Sequence, residues 1–158
     1  MLTKDGPKVL EFNCRLGDPE TQAIVARMDF DLAQVLSDVT EGKLQPEKLK
    51  WKPGTSVCVV LASGGYPGAY ETGKPIQGID AAEATGATVF HAGTQNGAHG
   101  IETAGGRVLG VTAGGADLPS AIEAAYRAVK QIHFDGMHYR TDIGRKGLER
   151  HGGRTAGT

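Results

Sequence analysis

The hydrophobic pattern changes period twice along the chain. Residues 8–15 alternate, with Leu10, Phe12 and Cys14 on one side of an extended segment and Glu11, Asn13 and Arg15 on the other. That alternation predicts a half-buried strand ending at Gly17. The period then becomes helical. Asp18 followed by Pro19 reads as an N-cap and first helical residue, so a short helix is expected over residues 21–28. A second helix is expected after Asp31, with Leu32, Val35, Leu36 and Val39 on one stripe and Gly42 as its stop. Residues 44–53, which hold two prolines and three lysines, read as a linker or crossover and mark the expected boundary.

Beyond that boundary the pattern is mainly that of strands. Residues 56–62 form a continuous apolar, β-branched run, the mark of a buried strand. Residues 64–68 read as a turn, residues 81–86 as a short helix, and residues 88–92 and 107–112 as further strands with glycine turns between them. Asp117 with Pro119 opens a helix carrying Ile122, Ala125, Tyr126, Val129 and Ile132 on one face. Residues 146–158 are basic and glycine-rich, and a frayed end is expected there. The fold class is α+β: a strand with helices over 1–45, a mainly antiparallel β unit with flanking helices over 46–147, and a flexible tail over 148–158. The first strand has no candidate partner before residue 55. An isolated strand is not stable, so this first segment reads as a piece of something larger.

Composition adds one outlier. Glycine accounts for 24 of 158 residues, about twice the usual ~7%. The glycines follow no fixed period, so they imply many tight turns and not a fibrous or low-complexity chain. A net charge of −1 gives no reason to expect nucleic acid as a partner. No stretch reaches the ~18 apolar residues of a membrane span, and no membrane partner is expected. Cys14 and Cys58 lie in apolar runs outside any CxxC pair. A reducing, cytoplasmic setting is expected.

The row Glu11, Asn13, Arg15 is the best candidate for chemistry. Alternate residues of a strand point the same way about 6.5–7 Å apart. A carboxylate and an amide oxygen so placed suit magnesium, which takes hard oxygens, one or two from protein and the rest from water and phosphate. The guanidinium next in the row can fork onto a phosphate. The same alternation also describes the wet face of any half-buried strand, and pattern alone leaves both readings open. Asp18, Glu20 and Gln22 lie at a helix start, where Asp18 serves as a cap and acids suit the dipole. A substrate role, holding an amine, is the alternative. Residues 64–68 and Gly114-Gly115 match neither phosphate-loop spacing. The five histidines show no HExxH spacing.

Residues 10–22, Leu-Glu-Phe-Asn-Cys-Arg-Leu-Gly-Asp-Pro-Glu-Thr-Gln, closely resemble the defining motif of the phosphoribosylamine–glycine ligase (glycinamide ribonucleotide synthetase) family of ATP-grasp enzymes. Further blocks follow in family order: Ala62 to Gly68, Val89 to Thr94, Gly105 to Ala113, and Tyr139 to Gly144. Together the blocks span the chain to about Gly147. Two positions depart from the pattern. Leu16 stands where the family often has phenylalanine, and Gly64 where it often has lysine. The first keeps an apolar side chain, and the second removes a cation.

The resemblance implies that residues 1–45 are the end of an ATP-grasp domain. It implies an enzyme joining glycine to 5-phosphoribosylamine through an acyl phosphate, with ATP as substrate and Mg (or Mn) as cofactor. It maps metal binding onto Glu11 and Asn13, a catalytic contact to the transferred phosphate onto Arg15, and a substrate-side loop onto Asp18, Pro19 and Glu20. It also implies that the N-terminal domains of the enzyme are the missing partner, and that this chain alone is inactive. The competing expectation is a stand-alone binding or assembly module. Another ATP-grasp enzyme is disfavoured by the Asp18-Pro19-Glu20 block and the blocks after it.

Overall fold

The computed structural model describes residues 1–12, 14–98 and 100–152. A two-residue hairpin, β1 (Leu2–Thr3) and β2 (Gly6–Pro7), opens the chain. Helices α1 (Glu20–Arg27) and α2 (Leu32–Thr40) follow, then a 3-10 turn at Pro46–Lys48. Asp31 caps α2 by accepting from the backbone N–H groups of Ala33 and Gln34 at 2.9 and 3.2 Å, which satisfies two orphan donors of the first turn.

The body of the fold is one antiparallel sheet. Strand β3 (Thr55–Ala62) leads through α3 (Ile79–Glu83) to β4 (Thr88–His91), then through the hairpin β5 (Thr94–Gly97) and β6 (Gly100–Thr103) to β7 (Arg107–Gly115). β7 is central, in the order β3-β7-β4. The register sets Val57 opposite Ala113, Val59 opposite Val111 and Leu61 opposite Leu109. Every one of these side chains is buried, in a cluster with Ala121, Ala125, Ala128 and Val129 of α4 (Leu118–Val129). The alternate residues of β3 face the other way. There Ser56 donates to the Ala23 carbonyl of α1 at 2.6 Å, and Gln22 of α1 lies beside Cys58 over Gly110. The sheet is thus held between α4 on one face and α1 on the other.

α4 begins with a reciprocal cap: Asp117 accepts from the Ser120 N–H at 2.9 Å, while the Ser120 hydroxyl accepts from the Asp117 N–H at 3.1 Å. The Ser120 bonds hold the Asp117 carboxyl below its ordinary value. After α4 the chain is tied back through Tyr126, whose hydroxyl donates to the Arg140 carbonyl and accepts from the Ile143 N–H. Arg140 forks onto Asp142 at 2.9 and 2.7 Å, which lowers the Asp142 pKa. The last described element is α5 (Arg145–Gly152), where a frayed end was expected. It reaches the start of α4, where Gly147 lets the Leu118 side chain come against its backbone.

One expected element does not form. Lys8 bonds to Met1 at the foot of the β1–β2 hairpin, but among the described residues no ladder includes residues 9–12. The residues meant for its buried side are in solvent, Leu10 at 72% and Phe12 at 86% exposure. The physical reason is the lack of a neighbour. A strand is stabilised by its ladder and by a covered apolar face, and the described residues provide neither at this segment.

Candidate active site

The motif residues nevertheless converge. Glu11, Arg15, Gly17, Asp18 and Glu20 line one open cleft of about 370 Å³. They meet because the chain turns back into α1, not because they alternate along a strand. Pro19 sits between Asp18 and Glu20 as the residue preceding the helix. Asn13 lies outside the described residues.

Asp18 does not act as the expected cap. α1 starts at Glu20 and not at Pro19, its N-cap position is Pro19, and no side chain caps it. The Gly17 carbonyl instead accepts from the backbone N–H of Thr21 at 2.9 Å, and also from the Thr21 hydroxyl. This leaves the Asp18 carboxylate for side chains. Its Oδ1 accepts from the Gln22 amide at 3.0 Å, one helical turn on. Its Oδ2 pairs with Nη2 of Arg107 at 3.2 Å, while Nη1 of the same guanidinium donates to the Asp18 carbonyl at 2.9 Å. The side-chain carbonyl oxygen of Gln22 is buried without a partner among the described residues.

The other members are more open. Arg15 is exposed and donates a long 3.4 Å bond to the Leu16 carbonyl, which uses one of its five donors. Glu20 occupies the first turn of α1, where the helix dipole favours an acid, and its carboxylate lies against Gly17. Glu11 is exposed at the edge of the cleft. Beneath α1, burial pushes the Cys58 thiol up in pKa; the neighbouring Thr112 side chain opposes this and the charge of Asp18 adds to it. A larger cavity of about 480 Å³ lies between α1 and the sheet. It presents Arg27 and Lys52 and no carboxylate, so it offers a cation no anionic oxygen from a side chain.

Comparison with known proteins decides the family. Residues 56–146 match the family described as phosphoribosylglycinamide synthetase, C domain. The chain belongs to the phosphoribosylglycinamide synthetase family. Phosphoribosylamine–glycine ligase of Synechocystis is 55% identical over 142 residues, which are 89% of this chain and 34% of that protein. The enzyme of the same name from Vibrio vulnificus (strain YJ016) is 48% identical over 151 residues, 95% of this chain and 35% of its own length. The crystal structure of phosphoribosylamine–glycine ligase from Thermotoga maritima superposes with a TM-score of 0.77 at 35% identity, covering 90% of this chain and 34% of that one. The chain therefore spans about a third of the length of the curated relatives it matches, and it corresponds to their C-terminal portion.

In this synthetase portion the donors can be tested against a magnesium ion. The cleft is open and its carboxylates are hard oxygen donors, which fits an ion that takes one or two protein carboxylates and completes its shell with water and phosphate. Glu11, Asp18 and Glu20 are the carboxylates that line the cleft, and that of Asp18 is engaged by Arg107 and Gln22. The cleft does not fit a caged metal. Among the described residues no three His, Cys, Asp or Glu side chains converge. Sequence reasoning missed Arg107. It opens β7 directly after Gly105-Gly106, and its contact with Asp18 spans 89 positions, which no local pattern reveals. The Gln22 contact was within reach, since residues four apart on a helix are neighbours.

Proposed function

We propose that this chain is the C-terminal part of a ligase that joins glycine to 5-phosphoribosylamine at the expense of ATP, in purine biosynthesis, and that it supplies one wall of the active site. The observation that carries this reading is the convergence of Glu11, Arg15, Asp18 and Glu20 on one cleft, in a chain about half identical to enzymes of that name. Residues 1–45 are assigned to the end of the ATP-binding unit, 46–147 to the C-terminal unit and 148–158 to a tail.

In this reading Glu11 and Asn13 hold magnesium, or manganese in its place. The ion, when bound, neutralises charge on the nucleotide phosphates. Arg15 grips the phosphoryl group as it passes to the glycine carboxylate, using donors its backbone contact leaves open. The loop of Asp18, Pro19 and Glu20 closes the side where the amine of phosphoribosylamine attacks the acyl phosphate. Phosphoryl transfer rests on positioning and on electrostatic stabilisation from several directions, and one wall cannot provide it. The enzyme's preceding domains are the partner that completes the site. The exposed apolar side chains of Val9, Leu10, Phe12 and Leu16 support this, since each is left in solvent by the described residues. The reading sets the protein in the cytoplasm. No helix among the described residues is long and apolar enough to cross a membrane.

The chain alone should release no ADP above background from ATP with glycine and phosphoribosylamine. The same chain joined to the preceding two-thirds of a relative, such as the Synechocystis enzyme, should turn over. Turnover by the chain alone at the rate of a complete ligase would refute the proposal, as would a joined protein that folds and binds ATP yet makes no product.

A further inference from the structure

The Asp18 loop and the central strand of the sheet are joined by one side chain. We propose that Arg107 is a positioning residue that clamps the Asp18 loop to the sheet and so sets the shape of the substrate side of the cleft. Its two terminal nitrogens go to two different oxygens of one residue, Nη1 to the Asp18 carbonyl at 2.9 Å and Nη2 to its carboxylate at 3.2 Å. Such a fork fixes orientation as well as distance, and a point charge does not.

The anchor behind the fork is rigid. Arg107 is the first residue of β7, and its carbonyl accepts from the Gly93 N–H at 2.8 Å. The preceding turn is held by Ser63, whose backbone N–H donates to Gly106 at 2.8 Å and whose hydroxyl donates to Gly105 at 2.8 Å. The Tyr66 ring lies over Gly106, so any larger residue there would move the base of the clamp. On the loop side, Gln22 holds the second carboxylate oxygen at 3.0 Å. The Asp18 carboxylate is therefore set from the sheet and from α1 at once. Both ion-pair partners are about half exposed, at 42% and 48%. Water screens such a pair, so its value lies in geometry, not in stability.

The clamp can be tested on this chain by itself; its kinetic consequence rests on the ligase reading. In hydrogen–deuterium exchange, Arg107→Ala should speed exchange of the Thr21, Gln22 and Ala23 amides by about tenfold while leaving β3 and α4 unchanged. Arg107→Lys, which keeps the charge and loses the fork, should recover less than half of that protection. In the ligase completed by its preceding domains, Arg107→Ala should raise KM for phosphoribosylamine or glycine by about tenfold or more, with KM for ATP within about twofold. Unchanged exchange at residues 21–23, an equal rise across β3 and α4, or full rescue by lysine would overturn the clamp. A local rise with unchanged kinetics, in a ligase that Glu11→Ala inactivates, would overturn the positioning role. Absence of turnover in the completed protein would count against the ligase reading alone, because the exchange result decides the clamp without it.

Discussion

Glu11→Ala should lower turnover of the completed ligase by on the order of 10²–10³-fold, the usual cost of deleting one electrostatic stabiliser of a transition state. The argument is one of charge and place. Glu11 is exposed at the mouth of a cleft that also holds Arg15, Asp18 and Glu20, and Asp18 is committed to Arg107 and Gln22. In the proposed reading Glu11 and Asn13 are the protein ligands of the ion, so removing the Glu11 carboxylate takes away the charged one. Stability should hardly respond, because substitutions at exposed positions usually stay within about 0.5 kcal/mol. The check is steady-state kinetics over a magnesium series beside thermal unfolding. Lost activity with an unchanged melting curve supports the assignment. Activity within about threefold of the parent contradicts it.

Phe134→Ala should reduce unfolding free energy by about 3–5 kcal/mol, the range for deleting a buried aromatic ring. Phe134 is 1% exposed and belongs to no helix or strand. It follows α4 and lies in the same buried cluster as Val59, Leu61 and Val111. It is pinned on one side by the paired bonds of His133 with Gln77, and on the other by Met137, which donates to the Phe134 carbonyl. A segment fixed at both ends cannot collapse into the space left by the ring, so a cavity term should add to the lost burial. A domain is typically stable by only 5–15 kcal/mol, so the loss should be plain in urea unfolding. A change below about 1 kcal/mol would mean that the ring is not part of the core.

These two positions also mark what the chain discloses by its pattern. The run of β3, the start of α2 after Asp31 and the start of α4 after Asp117 follow from local pattern and stand within a residue of their expected places, whereas α4 ends at Val129, short of the Ile132 expected on its stripe. The β5–β6 hairpin does not, because Thr94–Gly97 is polar throughout and carries no alternation; its ladder is joined by side chains, Gln95 donating to Glu102 at 2.6 Å. Phe134 went unseen because burial outside regular structure has no period. The site was legible in its residues and not in its geometry. Alternation set Glu11 and Arg15 on one side of a strand, whereas the chain brings them together by a turn. The Asp18 cap was wrong for a local reason: the helix starts at Glu20 and not at Pro19, which puts Pro19 at the cap position and frees the carboxylate for Gln22 and Arg107.

The central claim is that the segment containing Glu11 meets a divalent ion held jointly with nucleotide phosphates. The direct measurement is paramagnetic relaxation of backbone amides by manganese, with ATP present, in the chain combined with the preceding domains of the ligase. Broadening should be strongest at residues 10–21, absent along α4, and lost in Glu11→Ala. Broadening centred elsewhere, or unchanged by that substitution, would contradict the account.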